Sequence, residues 1–332
     1  MLKKKQRMSY HDNIVPITQF LTEEDAIKAV DEGKIIEDRP DLCHALKKQG
    51  WTRLFIHIYD KGVATNERKT NYSLLSIACS YGNDEAVKHM ITAGSQWQEH
   101  HSAAEIARSG NLELLKWANQ HGCPTSHEDV CEGAARSGNL EMLKWLRKVG
   151  TPWNEKCLRS AASGGHLDII LWARENGCPT NDNGEVCEQA AAQNHVDLVF
   201  RLHELGFKWD ARTCFYLAKN KNFEAVKRAH KLGCDWSAET FACASESGDM
   251  ALCKWLRSEG CPWNEQVCAH AASGGHLELL KWLRSEGCEW DWWTTMKADY
   301  GGHKVLYKWA IDNGCGCHKR RLAAERKWRG LY

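Results

Sequence analysis

Long apolar runs are missing from this sequence. No stretch approaches the roughly 18–20 apolar residues needed to span a bilayer, so no membrane partner is expected. The start, Met1-Leu2-Lys3-Lys4-Lys5-Gln6-Arg7, is basic but no apolar run follows it, which predicts no secretory leader. A cytoplasmic protein is the expectation, with a nuclear place as the alternative. Excess charge of one sign is also missing: 44 Lys+Arg face 43 Asp+Glu, a formal net charge of +1. Bulk electrostatic attachment to nucleic acid is therefore disfavoured, local basic patches aside. Proline is scarce, six in 332 residues, which leaves helices mostly uninterrupted. Catalytic signatures are absent as well. There is no Gly-x-Gly-x-x-Gly, no phosphate loop ending in Lys-Ser/Thr, no His-Glu-x-x-His and no Gly-x-Ser-x-Gly. Neither an enzyme, a cofactor nor a small-molecule substrate is expected.

What the sequence does have is a period. Gly110-Asn111-Leu112-Glu113-Leu114-Leu115-Lys116-Trp117 returns as Gly138-Asn139-Leu140-Glu141-Met142-Leu143-Lys144-Trp145 and as Gly275-His276-Leu277-Glu278-Leu279-Leu280-Lys281-Trp282. The column headed by the last Trp holds His89, Trp117, Trp145, Trp172, Arg201, Arg228, Trp255, Trp282 and Trp309. Its successive spacings are 28, 28, 27, 29, 27, 27, 27 and 27 residues. A tenth, degenerate copy fits Thr52 to Gly62. Register held over so many copies is the mark of a repeat architecture.

Each unit reads as two helices. Asn154, Asp210, Ser237, Asn264 and Asp291 stand just before the first helix, where a short polar side chain can accept from a free first-turn N–H. Gly165 and Gly275 suit the reversal between the helices, because glycine tolerates positive φ. The second helix, Leu277 to Glu286, places Leu277, Leu280 and Leu283 at helical spacing and stops at Gly287. One such pair cannot bury its own apolar stripe, so neighbours must stack. The predicted fold is an all-α αα-solenoid of about ten stacked helix pairs over residues 38–317, with an arm or cap at 1–37 and a basic tail or cap helix at 318–332.

Ala271-Ala272-Ser273-Gly274-Gly275-His276-Leu277-Glu278-Leu279-Leu280-Lys281-Trp282-Leu283 resembles the ankyrin repeat, and the resemblance covers roughly residues 70 to 317. With its recurrent Gly260-Cys261-Pro262-Trp263, the chain is similar to the short-repeat variety of large DNA viruses and protists. The family's usual Thr-Pro-Leu-His turn is replaced by Gln266-Val267-Cys268-Ala269. The period of 27–28 instead of 33 shortens the hairpins between units. The resemblance implies a binding module for other proteins, with the first helices lining a concave side.

The 16 cysteines and the turn histidines invite a metal reading. Their columns point elsewhere. One cysteine column runs Ser95, Cys123, Thr151, Cys178, Phe207, Cys234, Cys261, Cys288, Cys315; the other accepts Leu, Ala, Phe and Thr. A position that interchanges Cys with Phe or Leu is a packing position. His166, His195, His276 and His303 share a column with Asn83, Asn111, Asn139, Asn222 and Asp249, which suggests a hydrogen-bonding turn or cap residue. Cys315, Cys317 and His318 fall close together at the end of the array and could join a metal site, but a fourth ligand is lacking; a frayed terminus is the plainer reading. The Trp ladders read as packing staples between repeats, whereas Trp292-Trp293 stands outside both columns and is the better candidate for a partner contact.

Positions that vary between repeats should report binding. In the first helix, sites nine and six residues before the turn glycine lie three apart, hence on one face. They read Asp129/Glu132, Lys156/Arg159, Glu185/Glu188, Arg212/Phe215, Glu239/Ala242, Gln266/Ala269 and Trp293/Met296. Such a strip of ordered charge would select an extended protein partner, with ordinary solvated polar positions as the plain alternative. A non-enzymatic, monomeric interaction scaffold is therefore expected. The alternative is a nucleic-acid-associated or nuclear-targeted protein using the basic tail, Lys319, Arg320, Arg321, Arg326, Lys327 and Arg329.

Overall fold

Helix-forming segments alternate with glycine reversals along the whole described chain, and the computed structural model turns that alternation into stacked helix pairs. It describes residues 22–32, 51–61, 74–181 and 183–316, among which there are twenty helices and no strand. Two units divide the chain, Met1–Thr180 and Asn181–Tyr332.

The first unit holds α1 (Glu23–Asp31), α2 (Thr52–Asp60) and four pairs: α3 (Leu74–Ser80) with α4 (Asp84–Thr92), α5 (Glu99–Ser109) with α6 (Leu112–Gln120), α7 (Glu128–Ser137) with α8 (Leu140–Lys148), and α9 (Lys156–Gly164) with α10 (Leu167–Glu175). First helices pack on first helices, α3 on α5, α5 on α7 and α7 on α9, and each second helix packs on its own first helix. α2 lies against α4, so it is the second helix of the degenerate copy. α1, from a stretch with no visible repeat, packs on α2 in turn. The joint is polar: the Leu54 N–H donates to Glu23 Oε1 at 2.9 Å, and His57 Nε2 meets Asp31 at 3.0 Å.

The second unit repeats the plan with α11 (Glu185–Ala192) and α12 (Val196–Glu204), α13 (Ala211–Lys219) and α14 (Phe223–Lys231), α15 (Ala238–Ser247) and α16 (Met250–Ser258), α17 (Glu265–Ser273) and α18 (Leu277–Ser285), and α19 (Trp292–Tyr300) and α20 (Lys304–Asp312). The row α11, α13, α15, α17, α19 is continuous. Both units thus have the all-α solenoid architecture.

The caps follow the sequence. Asp210, Asn264 and Asp291 accept from the N–H groups of Arg212, Gln266 and Trp293 at 3.0, 3.1 and 2.9 Å, while Ser237 and Thr240 form a capping box. Gly165, at φ 85°, ends α9 in the left-handed conformation that lets the chain double back. Small first-helix residues make close stacking workable. Gly133 is the extreme: a Cβ there would lie 2.7 Å from the Ala104 carbonyl oxygen of the neighbouring helix. The core runs between the helix rows. Around α17 and α18 it consists of Val267, Cys268, Ala271, Ala272, Leu279, Leu280 and Leu283, closed on one side by Leu252 and Leu256. Each fully buried leucine contributes about 1.5–3 kcal/mol of transfer free energy. Leu279, and not Leu277, completes the buried face of α18, leaving Leu277 half-buried.

Candidate functional site

The first helices carry the sequence-predicted strip, and the structure sorts its members into three kinds. Some neutralise one another. Arg212 Nη1 lies 3.1 Å from Glu188 Oε2, across from α13 to α11, with Arg212 largely exposed and Glu188 buried. Lys156 Nζ approaches Glu132 Oε1 at 3.8 Å, across from α9 to α7. Burial pushes both carboxyls above the usual range, and the facing cation opposes that rise in each case. Both pairs are separated by 24 residues, three fewer than the usual period. A position six before one reversal thus meets a position nine before the next. That offset was available in the sequence and identifies these charges as inter-repeat ties. Glu188, a candidate contact residue, is therefore withdrawn from the surface: its side chain faces the joint because Arg212 folds over it.

A second group is half-buried. Asp129, Arg159 and Glu185 stand at the helix flanks. Phe215 packs against Tyr216, ring centroids 4.9 Å apart, with Lys219 Nζ above it at 5.8 Å.

The third group is open. Glu239 and Gln266 are exposed, and Trp293 is 45% exposed, which for a ring of that size is a large apolar surface left in water. Trp292 backs it at a centroid distance of 4.7 Å and is itself half-buried. Trp293 borders a cleft of about 320 Å³ between α17 and α19 that also takes in Gln266, Ala269, His270 and Lys297, with Glu265 and Asp291 at its edge. His270 Nδ1 lies 3.3 Å from Glu246. An apolar face, an amide and charges of both signs at one cleft suit a polypeptide side chain.

The cysteines show a regular role that the columns only implied. The thiols of Cys178, Cys234, Cys261, Cys288 and Cys315 donate to the carbonyls of Asn154, Asp210, Ser237, Asn264 and Asp291, at 3.4, 3.3, 3.7, 3.4 and 3.1 Å. Each ties a turn to the cap of the preceding first helix. Cysteines of the first helices also meet cysteines of the turns. Cys157 and Cys268 donate to the carbonyls of Cys131 and Cys288, at 3.9 Å each, and the neighbouring thiols of Cys178 and Cys288, together with burial, hold them above the ordinary thiol range. Burial pushes Cys131, Cys187 and Cys253 up to about 12. Cys315 is buried and pushed up to about 11, while Cys317 and His318 lie outside the described residues, as do the tail 318–332 and most of 1–37.

The turn column divides by residue type except at Asn222, which makes no cap and donates to Asn194 Oδ1. Asn83, Asn111, Asn139 and Asp249 cap their helices, accepting from Ala86, Leu114, Met142 and Leu252 at 3.1, 3.0, 2.9 and 2.9 Å. His166, His276 and His303 make no such cap. Their Nε2–H groups instead donate to the main-chain carbonyls of Arg136, Glu246 and Ser273, 30 residues earlier, at 3.2, 3.0 and 3.0 Å. The tryptophans are staples. Trp153 meets Trp172, Trp236 meets Trp255 and Trp290 meets Trp309, edge to face at 5.8, 5.6 and 5.7 Å.

Fold and site together define a helix-pair repeat protein with an exposed indole beside a cleft between two of its first helices. No family model matches the chain, and no curated protein matches it. Among solved structures it is similar to the crystal structure of the human ASB11 ankyrin repeat domain, at 20% identity and a TM-score of 0.38, over 49% of this chain and 85% of that one.

Proposed function

We propose that this protein is a non-enzymatic scaffold of short ankyrin-like repeats that captures protein partners in the cytoplasm, as a monomer, through the first-helix face of its second unit. The observation that carries the reading is Trp293, held 45% exposed at the edge of the cleft it shares with Gln266, His270 and Lys297. Aromatic anchors beside a pocket dominate protein interfaces, and a ring left in water at a cleft has its desolvation gain still to make. The exposed Glu239 and Gln266 supply the polar rim.

The test is affinity capture by the full chain, followed by identification of the retained proteins. Trp293→Ala combined with Gln266→Arg should release specific partners while the melting temperature stays within about 2 °C, since neither side chain lies in the core. Reversing Lys156 or Arg212 is a poorer test, because it would leave Glu132 or Glu188 facing a like charge in a partly dry joint. An identical set of retained proteins from the parent and the Trp293/Gln266 variant would refute the assignment.

A further inference from the structure

The tryptophan ladder of the second helices is broken at His89 and, in two successive later repeats, at Arg201 and Arg228. In the next repeat, Trp255 lies under Lys227 of the preceding second helix, with Nζ 5.8 Å from the ring centroid, and an edge-to-face contact with Trp236 fixes it. At position 228 the guanidinium lies flat on the Phe200 ring instead, 3.9 Å from its centroid. A planar group of that size covers less of the neighbouring helix than an indole. Between α12 and α14 there is accordingly an open cleft of about 690 Å³, lined by Phe200, His203, Lys227, Arg228, Lys231 and Leu232.

Three cations line the cleft, Lys227, Arg228 and Lys231, against two carboxylates, Glu204 and Glu224, which leaves it a net positive charge. Lys231 is exposed and has no ion-pair partner among the described residues. Arg228 comes within 4.0 Å of Glu204, but that carboxylate is already held by Arg201 at 2.7 Å. Lys227 is met by Glu224 at 2.8 Å, an almost fully exposed side chain that water screens and an incoming carboxylate would displace at little cost. Apolar surface lies alongside these cations: Leu232 is 48% exposed at the end of the cleft, and Phe200 forms its floor.

We propose that this cleft, on the second-helix side and separate from the Trp293 face, docks an acidic linear peptide segment of a partner protein. Carboxylates of the segment pair with Arg228 and Lys231, and one apolar side chain rests on Leu232. Charge complementarity selects the acidic strand, and the apolar surface selects a peptide over a bare polyanion. A nucleic acid is the weaker fit. Phe200 is covered by Arg228 and the His203 ring by Trp209, which leaves no platform for a base to stack on.

The experiment uses the full chain and fluorescence polarisation with three labelled probes: a pool of Asp/Glu-rich dodecapeptides carrying one central Leu or Phe, oligoglutamate of equal length, and a single-stranded dodecathymidylate. The acidic-apolar pool should bind at least about tenfold tighter than oligoglutamate, and binding should weaken as salt rises. Lys227→Glu with Lys231→Glu should lower the affinity at least about tenfold. Arg228→Trp, which restores the ladder residue and fills the cleft, should abolish binding with the helical signal and melting retained. Lys254→Glu, the equivalent lysine beside an intact ladder position, should change nothing. The proposal is overturned if no peptide in the pool binds, if the Lys227/Lys231 and Arg228 variants bind as the parent does, or if the dodecathymidylate binds as tightly as the pool and is lost with the same variants.

Discussion

His276 donates its Nε2–H to the main-chain carbonyl oxygen of Glu246, 3.0 Å away in the preceding repeat. The ring reaches that atom because glycines flank it: a Cβ on Gly248 would lie 2.4 Å from the ring, and one on Gly274 would lie 2.5 Å from it. His166 sits in the same way between Gly138 and Gly164, and His303 between Gly275 and Gly301. Where the turn residue is Asn or Asp, at 111, 139 and 249, the glycine two residues earlier is replaced by Ser109, Ser137 and Ser247. Gly-Gly-His and Ser-Gly-Asn are thus two solutions of one joint.

That pairing gives a double-mutant cycle. Gly274→Ser alone should destabilise by about 2 kcal/mol or more, because its Cβ meets both the imidazole and the Glu246 carbonyl. His276→Asn alone should cost about 1 kcal/mol for the lost inter-repeat bond, offset in part by a new cap on α18. Together they recreate the triplet found at 137–139, and the combined loss measured by urea denaturation should fall clearly below the sum. Strict additivity would show that the two residues do not share a joint.

Glu132 is a carboxylate held with one oxygen buried and no hydrogen-bond partner for it, and Lys156 stands no nearer than 3.8 Å. Burial raises its pKa, so its protonated form favours the folded chain. Stability from this group is fully present below the unfolded carboxylate value, about 4.3, and is lost as pH rises through the higher folded value. Glu132→Gln imitates the protonated form at every pH. It should stabilise by up to about 1 kcal/mol at pH 7, and the advantage over the parent should vanish on acidification to about pH 4. Thermal melts at both pH values check the sign.

Thiol reactivity should follow burial. Fourteen described cysteines are free, and all but Cys243 are buried. Cys243 is half-buried and pushed up to about 11 by desolvation, so even it is mostly protonated at neutral pH. In a background carrying Cys43→Ser and Cys317→Ser, native labelling by a thiol reagent at pH 7.5 should be slow and begin at Cys243. Unfolding should release all fourteen. Fast native labelling of Cys234 or Cys261 would contradict the packing role given to the turn column.

Six residues before a turn Trp stands a flat side chain. Arg147, Arg257 and Arg284 lie over Trp153, Trp263 and Trp290 at 4.2, 3.8 and 4.4 Å, and His203 and His230 stack on Trp209 and Trp236 at 3.7 and 3.5 Å. Arg284→Lys keeps the charge but loses the plane, and should cost about 1 kcal/mol. Arg284→His should cost less, because imidazole already fills this place in two repeats. Chemical denaturation followed by tryptophan emission would rank them, and the reverse order would show that charge, not shape, holds the turn.

The repeat register, the caps at Asp210, Asn264 and Asp291, and the packing role of the cysteine columns were all legible in the sequence, because each rests on local rules repeated many times. The strip of Glu132, Lys156, Glu188 and Arg212 was legible as a set, but its pairing across repeats was not, since a charge pattern along one helix does not say which charges face the neighbouring helix. The split between capping Asn and bridging His was present as Gly-Gly against Ser-Gly, but only a three-dimensional joint shows why the two positions change together. Arg201 and Arg228 stood out as interruptions of a column. That an interruption leaves a cleft depends on Phe200 and on the size of what lies over it.

The glycine-flanked histidines also limit how such a chain can be rearranged. A unit ending in Gly275 has been shaped to receive the His303 of its successor, and the successor brings Gly301 to complete the seat. His166 and His276 already sit on units of the Ser-Gly-Asn/Asp type, against Gly138 and Gly248, so exchange meets an obstacle only after a unit that turns at Asn194 or Lys221, whose Cβ would meet the incoming imidazole. The joint therefore governs which turn may precede a histidine, and leaves the place of the cut within a repeat open.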